Sequence, residues 1–164
     1  MKMQHMLSGA AAVVALVAAG CGGGGYGSSS SGSTSAASGS KSAQLKVVTD
    51  ARLGKIITDA KGRTLYDFPI DKGTTSVCYG ACASLWPPLT TGGEPMAGPG
   101  VSSGLIGTAK RRDGSTEVTY AGHPLYYYAP DRKQGQITGQ ALDQFGAPWY
   151  ALAPSGREIH TPGS

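Results

Sequence analysis

The sequence predicts a mainly β domain with short helices, one compact body of two pseudo-repeats built from short antiparallel strands in a meander. Three observations carry this. Gly62-Arg63-Thr64-Leu65-Tyr66-Asp67-Phe68-Pro69-Ile70-Asp71 lines up without a gap on Gly122-His123-Pro124-Leu125-Tyr126-Tyr127-Tyr128-Ala129-Pro130-Asp131, so Gly, Leu, Tyr, an aromatic and Asp recur in register. Each copy leads to a Trp followed by a Leu, Trp86/Leu89 and Trp149/Leu152. Short β-branched or aromatic runs are divided throughout by turn residues, the pattern of a repeated β unit.

Residues 1–20 read as a leader outside the fold. Lys2 opens it, and Met6 to Ala19 is an apolar run too short to span a bilayer comfortably. It closes on Ala18-Ala19-Gly20-Cys21, which resembles the lipobox of bacterial lipoproteins. That resemblance implies cleavage before Cys21, a diacylglycerol on its sulfur and usually an acylated amino terminus. Palmitate-like chains, at about 0.8 kcal/mol per buried methylene, would then hold the protein on a membrane. An ordinary secretory signal is the alternative. Residues 21–44 hold the lipidated Cys and a Gly/Ser tether, which has almost nothing to bury and a reach of roughly 25 Å.

The globular domain is expected over 45–153, in units of about 45–90 and 105–153. Leu45 to Thr49 and Lys55 to Thr58 read as strands, Asp59 to Gly62 as a turn, and Thr64 to Phe68 as the returning strand. Leu105 to Lys110, Thr116 to Tyr120 and Leu125 to Tyr128 form the second meander, turning at Asp113-Gly114 and Ala121-Gly122. Strand alternation puts Tyr66 and Phe68 on one face with Leu65 on the other, and Tyr126 and Tyr128 mirror that pair. With both faces apolar, these strands are expected in the centre. Ser76 to Leu85 and Thr138 to Phe145 have the spacing of short helices, stopped by Pro87-Pro88 and by Pro148. Thr90 to Gly104 reads as a connection and 154–164 as a loose tail.

Basic residues exceed acidic ones only 14 to 10, for a net charge of +4. Lys110-Arg111-Arg112, beside Asp113-Gly114, reads as a solvated turn rather than a nucleic-acid patch.

The Tyr-x-aromatic-x-x-Asp repeat, behind a lipobox and a Gly/Ser tether, resembles the bacterial predicted lipoproteins known as the secreted repeat of unknown function. The motif matches are Tyr66, Phe68, Asp71 and Tyr126, Tyr128, Asp131; the Cys78-x-x-x-Cys82…Trp86-Pro87-Pro88-Leu89 segment is also typical. The resemblance implies an envelope-anchored protein with two repeats and brings no substrate, cofactor or catalytic residue.

With Cys21 assigned to lipidation, Cys78 and Cys82 remain as a pair outside the cytoplasm, where oxidation favours a disulfide. Aligning Trp86 with Trp149 sets Ala141 against Cys78 and Phe145 against Cys82, so one unit is expected to build the same place from apolar residues. The competing reading is a redox pair or a copper(I) site, with Met96 or His123 as further ligand. The absence of Cys-x-x-Cys-His argues against a c-type haem. Tyr66, Phe68, Tyr126 and Tyr128 read as core, or alternatively as a stacking surface, and Trp86 and Trp149 as core anchors. Asp71 and Asp131 can each fix a turn by accepting backbone N–H bonds; as a pair they also invite general acid–base chemistry, hence a hydrolase. His123 and His160 are expected to be lone and exposed.

The leading expectation is a membrane-anchored extracytoplasmic lipoprotein of the bacterial cell envelope, a non-enzymatic binding or structural component without a cofactor. Its partners would be membrane lipid through acylated Cys21 and an envelope protein, glycan or small-molecule ligand, with no nucleic acid. The alternative is an accessory redox or copper-handling lipoprotein using Cys78 and Cys82.

Overall fold

The structure, a computed structural model, describes residues 41–161. The expected leader, Cys21 and the tether up to residue 40 lie outside the described residues.

Alternating apolar residues set the first hairpin. β1 (Gln44–Asp50) pairs antiparallel with β2 (Gly54–Asp59), and Asp50 closes the turn by accepting the N–H groups of Arg52 and Leu53. β3 (Tyr66–Asp67) follows. α1 (Ala81–Leu85) precedes the Trp86 segment, and β4 (Met96–Ala97) adds to β1 in parallel. After a 3₁₀ turn at Ser103–Leu105, the second meander runs through β5 (Ile106–Lys110), β6 (Thr116–Tyr120) and β7 (His123–Pro124). β8 (Asp143–Gln144) and β9 (Ala147–Pro148) make a small hairpin, and β10 (Tyr150–Ala151) pairs with β3. The domain is thus mainly β, in several small, mostly antiparallel sheets.

The two repeats complete each other. Tyr66 and Tyr126 exchange both backbone hydrogen bonds, at 2.9 and 2.8 Å, which joins the motif strands side by side. On its other edge each motif strand is covered by the Trp-bearing segment of the opposite repeat. Ala151 pairs with Tyr66, while Pro88 pairs with Tyr126 and Leu89 donates to Leu125 O at 2.7 Å. Both motif strands are therefore central, and their two faces feed two core clusters. Tyr66, Phe68, Trp86, Tyr126 and Trp149 lie in one; Leu45, Ile57, Leu65, Val118, Leu125 and Leu152 lie in the other.

Several expectations are corrected. The helix over Ser76 to Leu85 shrinks to α1, because Gly80 (φ 57°) breaks the run and 76–78 is tied down by side chains. Asp71 accepts Val77 N–H, and Ser76 Oγ accepts Cys78 N–H. No helix forms over Thr138 to Phe145. Ala141 and Phe145 adopt positive φ (58° and 59°), and Phe145-Gly146 is the two-residue turn joining β8 to β9, a geometry that needs positive φ at both positions. Phe145 is consequently exposed and does not take the place of Cys82. The Thr90 to Gly104 connection contributes a strand, because Gly98 lets the backbones close: a Cβ there would meet Leu45 O at 2.6 Å. The tail is docked as far as Thr161. Leu152 bridges Glu158, Ile159 N–H donates to Ala151 O at 2.9 Å, and the Gln140 amide donates to the carbonyls of Ile159 and Thr161.

Candidate functional site

The repeated motif converges on one place between the repeats. Phe68, Trp149, Trp86 and Tyr128 form a continuous pile of rings, with centroids 3.9, 4.0 and 4.5 Å apart in that order. Tyr66 meets Trp86, and Tyr126 meets Trp149, edge-on. Both indole N–H groups end on one residue: Trp86 Nε1 donates to Gln144 Oε1 at 2.9 Å and Trp149 Nε1 to Gln144 O at 3.0 Å. Gly139 makes room for the pile, since a Cβ would meet the Trp86 ring at 2.8 Å. Trp86, Trp149, Tyr66 and Tyr126 are fully buried, so these rings present no stacking surface.

The carboxylates of the motif cross over in the same reciprocal way. Tyr66 donates its O–H to Asp131 Oδ2 at 2.6 Å, and Tyr126 donates to Asp71 Oδ2 at 2.6 Å. Each Asp also holds its own loop. Asp71 Oδ1 accepts Val77 N–H, and Asp131 Oδ1 accepts the backbone N–H and the hydroxyl of Thr138. Burial pushes both phenols far above the ordinary tyrosine range. They are fixed donors, and the two Asp residues act with opposite tyrosines rather than as a pair facing one substrate.

Tyr126 links this core to a charged network that includes Arg111, a residue expected in a solvated turn. Arg111 is buried and its Nη1 donates to Glu117 Oε2 at 2.7 Å and to Ser76 Oγ at 2.8 Å, while Nη2 donates to Cys78 O. Tyr126 shares the same Ser76 hydroxyl. The turn itself forms as expected, with Gly114 N–H on Arg111 O. Only the side chain of Arg111 departs from expectation, drawn inward by Glu117. Burial raises Glu117 to about 7 despite the guanidinium beside it. Cys78 and Cys82 are joined as a disulfide with Cα atoms 5.2 Å apart, so neither sulfur is a thiolate ligand in this state. Met96 is exposed on β4 and belongs to neither core cluster.

His123 and His160 are not lone. His123 Nδ1 stands 3.2 Å from Asp67 Oδ2, and His160 Nε2 stands 3.1 Å from Glu158 Oε2. Asp67, His123 and Glu158 offer ligating atoms that all lie within 4.8 Å of one another. Asp67 is buried, and neither of its carboxylate oxygens accepts a hydrogen bond among the described residues. Burial raises Asp67 to about 6, and the adjoining Asp67 carboxylate raises His123 above its usual value. The sequence signal for this group was the departure of each copy from the other: Arg63 against His123, and Asp67 against Tyr127.

Geometry of this kind defines a two-repeat β protein whose halves share one aromatic and Tyr–Asp core and differ at their rims. The chain belongs to the family described as a secreted repeat of unknown function, whose model matches residues 47–90 and 107–153. An extracellular or envelope location accords with that family. Neither a curated protein nor a solved structure matches the chain.

Proposed function

We propose that the protein is a lipid-anchored envelope component, tethered through Cys21, whose two-repeat domain is a non-enzymatic binding or structural platform. The observation that carries this reading is the reciprocal Tyr66–Asp131 and Tyr126–Asp71 exchange, which engages the repeated polar residues inside the molecule. A motif used in this way fixes shape, and leaves recognition to the loops and rims it positions. The lipobox-like Ala18-Ala19-Gly20-Cys21 and the Gly/Ser tether support attachment at a membrane surface with the domain held clear of the headgroups.

The test follows the chain and its Cys21→Ser variant through cell fractionation with a labelled fatty acid. Label on the membrane-bound wild type and release of the unlabelled variant are expected; a variant that stays membrane-bound would overturn the anchoring. The competing thiol reading predicts that Cys78 and Cys82 cycle in mild reductant under native conditions. The platform reading predicts a buried bond that resists reduction until the domain unfolds.

A further inference from the structure

We propose that Asp67, His123 and Glu158 form a binding site for a divalent transition-metal ion of the Zn2+ type. The buried carboxylate of Asp67 is the first reason. An ionised group out of water is costly unless it is paired and hydrogen-bonded; among the described residues Asp67 has a partly exposed imidazole at 3.2 Å as its one ion-pair partner, while a second carboxylate, Glu158, crowds the same place. Two acids around one histidine leave a charge deficit that a divalent cation would fill.

Geometry and donor chemistry agree. Ligands bonded to Zn2+ at about 2.0–2.2 Å sit roughly 3–4 Å from one another. Here the ligating atoms already lie within 4.8 Å, and the Asp67–His123 pair at 3.2 Å, so only a small closure is needed. Two carboxylate oxygens with one imidazole nitrogen suit Zn2+ or Mn2+. They lack the sulfur that selects copper(I) and the six or more oxygens that Ca2+ takes. The donors are carried on fixed backbone: Asp67 on β3 against β10, His123 on β7 against β6, and Glu158 on the bridge to Leu152. His160 contacts the Glu158 carboxylate and packs its ring on Tyr150, which makes it a positioning residue. His123 and Glu158 also line two clefts, of about 210 and 670 Å³, which give an ion access and leave room for a water or ligand at an open position.

The other repeat is an internal control. In the gapless alignment Arg63 stands for His123 and Tyr127 for Asp67. There the carboxylate comes from Asp59, which aligns with Thr119, and it is fully served. Oδ1 accepts the N–H groups of Lys61 and Arg63, Oδ2 accepts Arg63 Nε at 2.9 Å and Tyr127 O–H at 3.2 Å, and the guanidinium stacks on the Tyr127 ring. One half sets a guanidinium against its carboxylate, and the other sets one imidazole between two acids.

The full chain, purified in detergent and stripped with EDTA, is titrated with Zn2+ by calorimetry, and its thermal midpoint is read with and without the ion. The wild type is expected to bind one equivalent and melt higher with Zn2+, with Ca2+ giving neither effect. Asp67→Asn and Glu158→Gln weaken binding by roughly tenfold or more, and His160→Ala weakens it less. His123→Arg, which copies the sister position, remains folded by circular dichroism and loses the Zn2+-dependent shift; it carries the test should Asp67→Asn fail to fold. No binding by the wild type, equal binding of Ca2+, or Zn2+ affinity surviving in folded His123→Arg, an adventitious ion only, overturns the proposal.

Discussion

Tyr66 shows how much one hydroxyl can do in this domain. It is fully buried, donates to Asp131 across the repeat boundary, and accepts Gly139 N–H at 3.3 Å. Tyr66→Phe removes a charge-assisted bond from a buried carboxylate and should cost about 1.5–3 kcal/mol in chemical denaturation, with Tyr126→Phe costing a similar amount. Equal, small losses near zero would mean that water takes over both hydroxyls. The positions of Tyr66, Phe68, Tyr126 and Tyr128 were legible in the sequence because strand alternation fixes their face. The inward turn of Arg111 was not. A basic run beside Asp-Gly reads as solvent-facing, and only the register that sets Glu117 close behind Arg111 reverses it. His123 was misread for a related reason: its partners come from β3 and from the tail, both distant in sequence.

Among the elements, the four longest strands were legible, while the helices and the two-residue strands β4, β8, β9 and β10 were not. β1, β2, β5 and β6 follow from β-branched alternation and strong turn residues, which act locally. The stretch over Thr138 to Phe145 has helical spacing, yet its polar groups are satisfied elsewhere. Ala151 N–H goes to the Gln140 side chain, and Trp149 N–H donates to Leu142 O. These tertiary bonds outweigh a weak helical propensity. The short α1 stands apart because the Cys78–Cys82 disulfide ties it to the 76–78 segment and so to Arg111. Cys78→Ala/Cys82→Ala opens only a small loop and should lower stability by about 2 kcal/mol or less, measured by denaturant unfolding. A much larger loss would show that the bond also holds the Arg111–Glu117 network in place.

For the whole molecule, the buried acids set a direction for pH dependence. Asp67, raised to about 6, and Glu117, raised to about 7, keep their protons to higher pH in the folded state than in the unfolded chain. His123, also raised, does the same from its usual value upward. Where the folded state binds more protons, stability falls as pH rises. The EDTA-treated protein should therefore melt higher near pH 5 than near pH 8, by about 4 °C or more. Asp113, held low by Ser115, has the opposite sign but acts only below its ordinary range. A flat or rising profile between those pH values would count against the desolvation of these acids.

The pairing between repeats also determines what one copy could do alone. A chain with a single copy would leave its motif strand uncovered and its indole without the facing ring, so it could finish folding only with a second identical chain. The present molecule has the form of such a homodimer fused end to end. Fusion has a consequence that identical subunits cannot reach: a change in one half need not appear in the other. Arg63 and His123 occupy matched places under that freedom, and each meets a carboxylate in its own way. Broken symmetry, rather than the shared motif, marks where the two halves can differ in what they bind.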